Sequence, residues 1–230
     1  MSEFFLELFS EEIPAGLQKN LREKIFEDFK NLFEEKSIRS KKNFSFSTPN
    51  RLVLVFEGLD KQIKIKSKEI RGPKTSAPEQ ALEGFLRSNK INKKDLFKKK
   101  TEKDEFYFYK TVASSLKTHD LLTEFIPKIL SNYQWKKSMK WGEFDLNWGR
   151  PLKSILSIFD KKIVSFNFHH LVSSNSTFID KDLEDKKKNF LNFKHYEKFF
   201  EKQGIFIDQN KRLKIINSNF SKILNKKGLK

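Results

Sequence analysis

The chain has 230 residues, of which 37% are hydrophobic and 33% charged, and its formal net charge is +17. It contains no cysteine, which excludes disulfides and thiolate-bound metals and fits a reducing, cytoplasmic environment. No segment approaches the roughly 20 apolar residues that a membrane-spanning helix needs, so no membrane partner is expected.

Apolar residues recur with two periods along the chain. Alternation or short apolar runs predict strands, whereas apolar residues spaced three or four apart predict amphipathic helices. Strands are predicted, in chain order, at residues 3–9, 44–46, 52–56, 63–65, 106–109, 155–159, 163–168 and 205–207. Helices are predicted at residues 14–35, 81–86, 121–133 and 196–204, with Pro14 opening the first and Gly204 ending the last.

These elements predict an α+β fold in which a mixed or mainly antiparallel sheet is packed by amphipathic helices. Residues 73–78 are predicted as a loop, and the basic segment 93–103 as a loop or a frayed helix end. Apolar density falls between residues 173 and 192, which indicates a loop or a boundary. The predicted organisation is therefore an N-terminal α+β domain at 1–172, this boundary at 173–192 and a following segment at 193–230.

The sequence contains no recognisable active site. None of the eight glycines builds a dinucleotide-binding fingerprint or a P-loop. The only histidine cluster is His169–His170, and neighbouring residues on a strand point to opposite faces, so a shared metal is not expected. No catalytic residue and no metal ligand is predicted, and no cofactor is expected to bind this chain.

The charge alone does not identify a partner. Lysine-rich surfaces suit nucleic acid, because cations that neutralise phosphates release condensed counterions. The abundance of Lys, Asn, Ile and Phe equally fits a genome with A- and T-rich codons. Against that background the seven arginines are informative, because a retained arginine indicates a need for its bidentate guanidinium.

Residues 135–150 are the best interaction candidate, because they hold all three tryptophans interleaved with lysines and one arginine. Such a segment suits stacking on RNA bases, a protein interface, or simple packing of the tryptophans in the core, and the sequence leaves all three open. The candidates for binding nucleic acid or a protein partner are Lys136, Lys137, Lys140, Trp141 and Arg150 in this segment, and Arg51 and Arg71 elsewhere in the chain.

Four motifs carry a family resemblance. They are LELFSEEIPA at residues 6–15, TPNRL at 48–52, RGP at 71–73, and SMKWG at 138–142 with Arg150–Pro151 after it. In this order and spacing the chain resembles the start of the β subunit of bacterial heterotetrameric glycyl-tRNA synthetase. The resemblance runs from Leu6 to about Arg212.

The resemblance implies a chain that is non-catalytic by itself and supports tRNA(Gly) recognition and assembly with an α subunit. ATP, magnesium and glycine are expected at that α subunit, where glycine is activated and joined to tRNA. It also implies a fold similar to the editing-like domain of phenylalanyl-tRNA synthetase β. The alternative is a free-standing basic module that binds RNA or deacylates aminoacyl-tRNA.

Two departures from the family pattern limit what is carried over. Family β subunits are roughly three times longer, so the chain is expected to be an N-terminal fragment. After Ser176–Thr177 the family usually has Gly-His-Arg-Phe, whereas this chain has Phe178-Ile179-Asp180-Lys181. Any role of that His-Arg pair is therefore not expected here.

Overall fold

The structure is a computed structural model that describes residues 2–65, 67–101, 104–180 and 186–228. The helices in these ranges are α1 (Ala15–Glu35), α2 (Glu79–Asn89), α3 (Thr118–Asn132), α4 (Phe193–Lys202) and α5 (Gln209–Lys227). The strands are β1 (Glu3–Ser10), β2 (Lys42–Ser47), β3 (Arg51–Glu57), β4 (Gln62–Ile65), β5 (Glu69–Lys74), β6 (Leu96–Lys100), β7 (Glu105–Lys110), β8 (Ser114–Lys117), β9 (Leu152–Phe159), β10 (Lys162–Ile163), β11 (Asn167–Phe168), β12 (Leu171–Val172), β13 (Ser176–Phe178) and β14 (Lys187–Asn189). None of the helices in the described ranges combines the length and hydropathy needed to cross a bilayer.

The chain divides into two compact units. The larger unit comprises Met1–Lys61 and Lys117–Lys230, and the smaller unit is the continuous segment Gln62–Leu116. The larger unit is built on a five-stranded sheet in the order β10-β9-β1-β3-β2, and all its neighbouring strands run antiparallel. The smaller unit contains the antiparallel sheet β5-β7-β6, the pair β4-β8 and helix α2.

Strand β1 is buried on both faces because helices cover the central sheet from both sides. On one face Phe4 contacts Phe29 of α1, with ring centroids 5.4 Å apart. On the other face Phe5 contacts Tyr196 of α4 at 4.9 Å. Buried aromatic and aliphatic side chains in both layers remove apolar surface from water, which is the main stabilising contribution to the fold.

The predicted fold class is confirmed, since the chain is α+β with antiparallel sheets. All four predicted helices are present, and so are the strands predicted at 3–9, 44–46, 52–56, 63–65, 106–109 and 155–159. The predicted division at 173–192 stays a prediction. In this structure α4, which follows that segment, packs on the sheet that precedes it, and residues 181–185 lie outside the described part of the chain.

Three local predictions differ from the structure. Residues 205–207 form no strand: they lie in the connection between α4 and α5, where Ile207 is buried in the core under the central sheet. The basic segment predicted as a loop or a frayed helix end begins with a 3₁₀ turn at Lys93–Asp95 and continues as β6, whose backbone pairs with β7. Glu102 and Lys103 lie outside the described residues. The strand pair predicted from 155–159 and 163–168 is confirmed in part: Ile163 pairs with Ile158 of β9, and the N–H of Val164 donates to the carbonyl of Ser157 at 3.0 Å. The chain then turns into the β11-β12 hairpin.

Candidate nucleic-acid and partner interface

The aromatic segment after α3 is a loop closed at its base. The backbone N–H of Met139 donates to the carbonyl of Trp148 at 2.8 Å, and the N–H of Trp148 donates back at 3.1 Å. This two-bond bridge holds residues 140–147 as a loop. At its tip, Gly142 has a φ of +56°, a left-handed conformation that glycine adopts without a steric penalty.

Trp148 is the buried side chain at the base of the loop. Its ring packs edge-to-face on Trp135 at 4.9 Å and on Phe168 at 5.8 Å. Gly149 follows directly, and a Cβ added there would lie only 2.1 Å from the Trp135 ring. The packing of these two tryptophans therefore requires glycine at position 149 and fixes the path of the chain into Arg150.

Trp141 is half-buried and lies at the loop. Its ring contacts His170 edge-on at 5.8 Å, and His170 stacks on Phe144 at 3.7 Å. Burial, with a smaller contribution from the charge of His169, lowers the pKa of His170 below its usual value. The loop therefore packs against the His169–His170 turn through neutral rings.

Arg150 joins this segment to the start of α1. Its Nε donates to the carbonyl of Glu12 at 3.3 Å, and its Nη1 lies 3.6 Å from the sulfur of Met139. A cavity of about 470 Å³ opens beside it. The cavity is lined by Pro14, Gly16, Leu17, Lys137, Ser138, Met139, Gly149 and Arg150.

The charges around this cavity favour an anion. Lys137 and Arg150 supply two cations, and the N-terminal turn of α1, which contains no acidic residue, supplies the positive end of the helix dipole. The nearby carboxylate of Glu11 is paired with Lys153, whose Nζ lies 3.5 Å away. The cavity is therefore suited to a phosphate or carboxylate group.

The other predicted residues of this segment are at the surface but do not line the cavity. Lys136 and Lys140 are exposed, and the Nζ of Lys140 lies 3.5 Å from a carboxylate oxygen of Asp145. In the smaller unit Arg71 is also exposed, and its guanidinium stacks over the ring of Phe106 at 3.6 Å.

Arg51 lies in the interior of the larger unit rather than at a surface. Its side chain is only 3% exposed and pairs with the buried carboxylate of Glu7. Its Nη2 donates to the carbonyls of Phe178 at 2.7 Å and Ile179 at 2.9 Å. This placement leaves the guanidinium no open face for tRNA or another subunit, so Arg51 is not used in the proposal below.

The N-terminal turn of α1 is the part of the site that the sequence prediction missed. The signal was present, because Pro14 and Gly16 begin a helix whose first turn lacks the usual acidic residues. In the described part of the chain, no group of three or more His, Asp or Glu side chains is placed to hold a metal ion.

Nearly the whole chain matches one known protein family. The family described as glycyl-tRNA synthetase beta subunit matches residues 4–230. The chain belongs to this family. Among curated relatives, the glycine–tRNA ligase beta subunit of Rickettsia bellii (strain OSU 85-389) is 37% identical over 219 residues, which cover 95% of this chain and 33% of the relative.

Two further β-subunit relatives give the same result. The glycine–tRNA ligase beta subunit of Rickettsia prowazekii (strain Madrid E) is 35% identical over 229 residues, covering 100% of this chain and 34% of the relative. That of Rickettsia felis is 34% identical over 231 residues, covering 100% and 35%. The chain therefore spans about a third of the length of the curated relatives it matches.

Proposed function

We propose that this chain is the N-terminal part of a glycine–tRNA ligase β subunit. It is non-catalytic by itself and supports tRNA(Gly) recognition and assembly with the α subunit during ATP-dependent charging of tRNA with glycine. Family membership over residues 4–230 carries the proposal. The cavity beside Arg150 supports it, because the cavity offers a cationic site for the phosphate backbone of RNA.

Lys137 and Arg150 hold a phosphate of tRNA in this proposal. The bond from Arg150 Nε to the Glu12 carbonyl anchors the guanidinium at the cavity wall. An anchored guanidinium loses less side-chain freedom on binding, and its planar fork suits phosphate oxygens better than an ammonium does. Contacts of this kind position RNA without reading its sequence.

The exposed face of the 135–150 segment contributes to the same interface. Lys136, Lys140 and the reachable edge of Trp141 lie on the chain beside the cavity and can contact either RNA or the α subunit. Tryptophan and arginine are favoured anchors in protein interfaces, so a single surface can serve both partners.

The catalytic groups belong to the α subunit in this proposal. ATP, magnesium and glycine bind there, and the assembled enzyme works in the cytoplasm. We also propose that the larger unit has the fold of the editing-like domain of phenylalanyl-tRNA synthetase β. No editing role is assigned to residues 178–181, because the Gly-His-Arg-Phe of the family is replaced there.

Assays of the purified chain with and without a glycyl-tRNA synthetase α subunit test whether catalysis requires the α subunit. We expect no glycine-dependent ATP–pyrophosphate exchange and no deacylation of aminoacyl-tRNA by the chain alone, and co-elution with the α subunit on size exclusion. Robust exchange or deacylation without the α subunit would show an independent enzyme and overturn the proposal.

A further inference from the structure

One face of the β5-β7-β6 sheet in the smaller unit carries aromatic rings and cations in neighbouring rows. In the register of this sheet Phe108 of β7 lies opposite Arg71 of β5 and Phe97 of β6. Phe106 of β7 lies opposite Lys74 of β5 and Lys99 of β6. Paired residues of an antiparallel ladder share a face, and so do residues two apart on a strand. These six side chains therefore form one surface, the aromatic–basic face.

The opposite face of the same sheet is occupied by α2. Gly72 follows Arg71 in β5, so a Cβ added at Gly72 would lie on the α2 side of the sheet. That Cβ would be 3.0 Å from the ring of Phe85 of α2. Leu82 of α2 is buried. One face of the sheet is therefore covered by α2. On the other face Arg71, Phe97 and Lys99 are exposed, whereas Phe106 is buried beneath the Arg71 guanidinium.

The aromatic–basic face has the geometry that stacks flat, anionic ligands. Phe97 is 37% exposed and its ring stacks on Phe108 with centroids 6.0 Å apart. Arg71 lies over Phe106 at 3.6 Å, and the Nζ of Lys99 lies 5.6 Å from the centroid of the Phe108 ring. An exposed ring bordered by cations can accept a base on the ring and phosphates on the cations.

The charge of the smaller unit indicates a polyanion. Residues 62–116 contain 14 lysines and arginines but seven aspartates and glutamates, an excess of seven positive charges. Two of the acids pair with the cations of this surface, Glu69 with Lys99 at 2.9 Å and Asp104 with Lys74 at 2.6 Å. Exposed pairs of this kind contribute little stability, so phosphates can replace the carboxylates at small cost.

We propose that the aromatic–basic face binds single-stranded RNA. An unpaired base stacks on Phe97, and Arg71, Lys74 and Lys99 contact the flanking phosphates. A second copy of the chain would bring like charges to this surface, and a base-paired duplex would not expose the face of a base to Phe97. The inference rests on the proposed role in tRNA recognition and adds a site for an unpaired stretch of the RNA.

A titration with a labelled oligoribonucleotide tests this site. The full chain and its variants are titrated against a fluorescent oligouridylate of about 12 nucleotides, and anisotropy gives Kd at two salt concentrations. Stacking on one aromatic side chain corresponds to about 5- to 150-fold in affinity, so Phe97→Leu should weaken binding by at least about fivefold. Lys99→Gln removes one phosphate contact, so the slope of log Kd against log salt concentration should decrease by about one.

Phe44 provides a matched control. It is 38% exposed on β2 of the larger unit, and its ring stacks on Phe46 with centroids 6.0 Å apart, as Phe97 does on Phe108. Phe44→Leu should leave oligouridylate binding unchanged. Thermal melts of both variants confirm folding, and Lys99→Gln keeps the test decisive if Phe97→Leu does not fold.

Three results would overturn the inference. The first is that Phe97→Leu binds the oligouridylate with the same affinity as wild type. The second is that a duplex RNA of the same length binds as tightly as the single strand. The third is Phe97-dependent binding of an acidic polypeptide such as polyglutamate with no oligouridylate binding, which would assign the face to a protein. Because the ligand is not tRNA, failure here leaves the proposed contact at Arg150 standing, and that contact is tested separately.

Discussion

The guanidinium of Arg51 and the carboxylate of Glu7 form an ion pair between neighbouring strands inside the larger unit. Both side chains are buried, at 3% and 0% exposure. The hydroxyl of Tyr196, from α4, donates to the same carboxylate oxygen at 2.7 Å. The Arg51 guanidinium also lies over the rings of Phe9 at 4.5 Å and Phe200 at 4.2 Å. The pair thus connects two strands of the sheet with the helix packed on them.

Removing the cation of this pair should be costly. Arg51→Met leaves the Glu7 carboxylate buried without its counter-charge, and we expect a loss of about 3–5 kcal/mol in unfolding free energy. Urea denaturation of the variant against the wild type measures it. Adding Glu7→Leu to Arg51→Met should recover part of the loss, because it removes the uncompensated charge. The Tyr196 hydroxyl and the carbonyls of Phe178 and Ile179 remain without their partners. A loss below about 1 kcal/mol for Arg51→Met alone would contradict the buried-pair account.

Arg51→Lys keeps the positive charge but removes the planar guanidinium with its several donors. Lysine keeps the cation but has one ammonium for acceptors that the guanidinium serves through two nitrogens, including the carbonyls of Phe178 and Ile179. Buried acceptors without a donor cost about 1–3 kcal/mol, so this variant should fall between wild type and Arg51→Met in the same denaturation series. Stability equal to wild type would show that charge alone suffices.

Tyr196 should make the fold sensitive to alkaline pH. Burial and, less strongly, the Glu7 carboxylate raise the pKa of Tyr196 well above its ordinary value of 10. Above pH 10 the unfolded chain releases a phenolic proton that the folded chain keeps. Stability is therefore fully present below pH 10 and falls above it, by up to about 1.4 kcal/mol for each pH unit.

Tyr196→Phe provides the comparison for this pH dependence. The variant has no phenol at this position to titrate, so its urea midpoint should fall less steeply than that of wild type between pH 10 and 11. Lysines titrate in both proteins and cancel in the difference. Identical slopes would contradict the assigned burial of the Tyr196 hydroxyl.

Gly149→Ala should destabilise the 135–150 segment. The added methyl would lie 2.1 Å from the Trp135 ring, so the ring must leave its contact with Trp148. Overpacking of this kind costs about 1–3 kcal/mol, and tryptophan fluorescence should change with the thermal midpoint. Gly16→Ala is the control, because the same methyl meets no atom within 4 Å. It should leave stability unchanged or raise it by about 0.5–1 kcal/mol, and an equal loss in both variants would refute the packing argument.

The sequence predicted the central sheet and α1 well because their apolar periods match their burial. It did not predict α5, whose apolar residues stay exposed among lysines and asparagines, so its hydrophobic stripe is diluted. It also missed β6, because Lys98, Lys99 and Lys100 are poor strand formers. An edge strand tolerates them, since its outer face is solvated and charged residues there limit further pairing.

The candidate site residues were chosen by residue type, and residue type carries no information on geometry. Arg51 uses both terminal nitrogens of its guanidinium, but its acceptors are internal. The carboxylate with which it pairs also accepts a hydrogen bond from a tyrosine 189 positions further along the chain. In the same way, no local pattern shows that Arg150 reaches the carbonyl of Glu12, 138 positions earlier. Contacts at such separations follow from strand order, which periodicity does not encode.

Binding of tRNA(Gly) to the Lys137→Gln/Arg150→Gln variant tests the central claim most directly. Anisotropy of labelled tRNA gives Kd for the full chain across a salt series. We expect the variant to bind at least about tenfold more weakly near 0.1 M salt. The slope of its log Kd against log salt concentration should be smaller by about two, because two phosphate contacts are lost. The charge-matched control Lys24→Gln/Lys128→Gln, on exposed faces of α1 and α3, should bind within about twofold of wild type. Equal affinity of wild type and the Lys137/Arg150 variant would contradict the assignment of this cavity to tRNA.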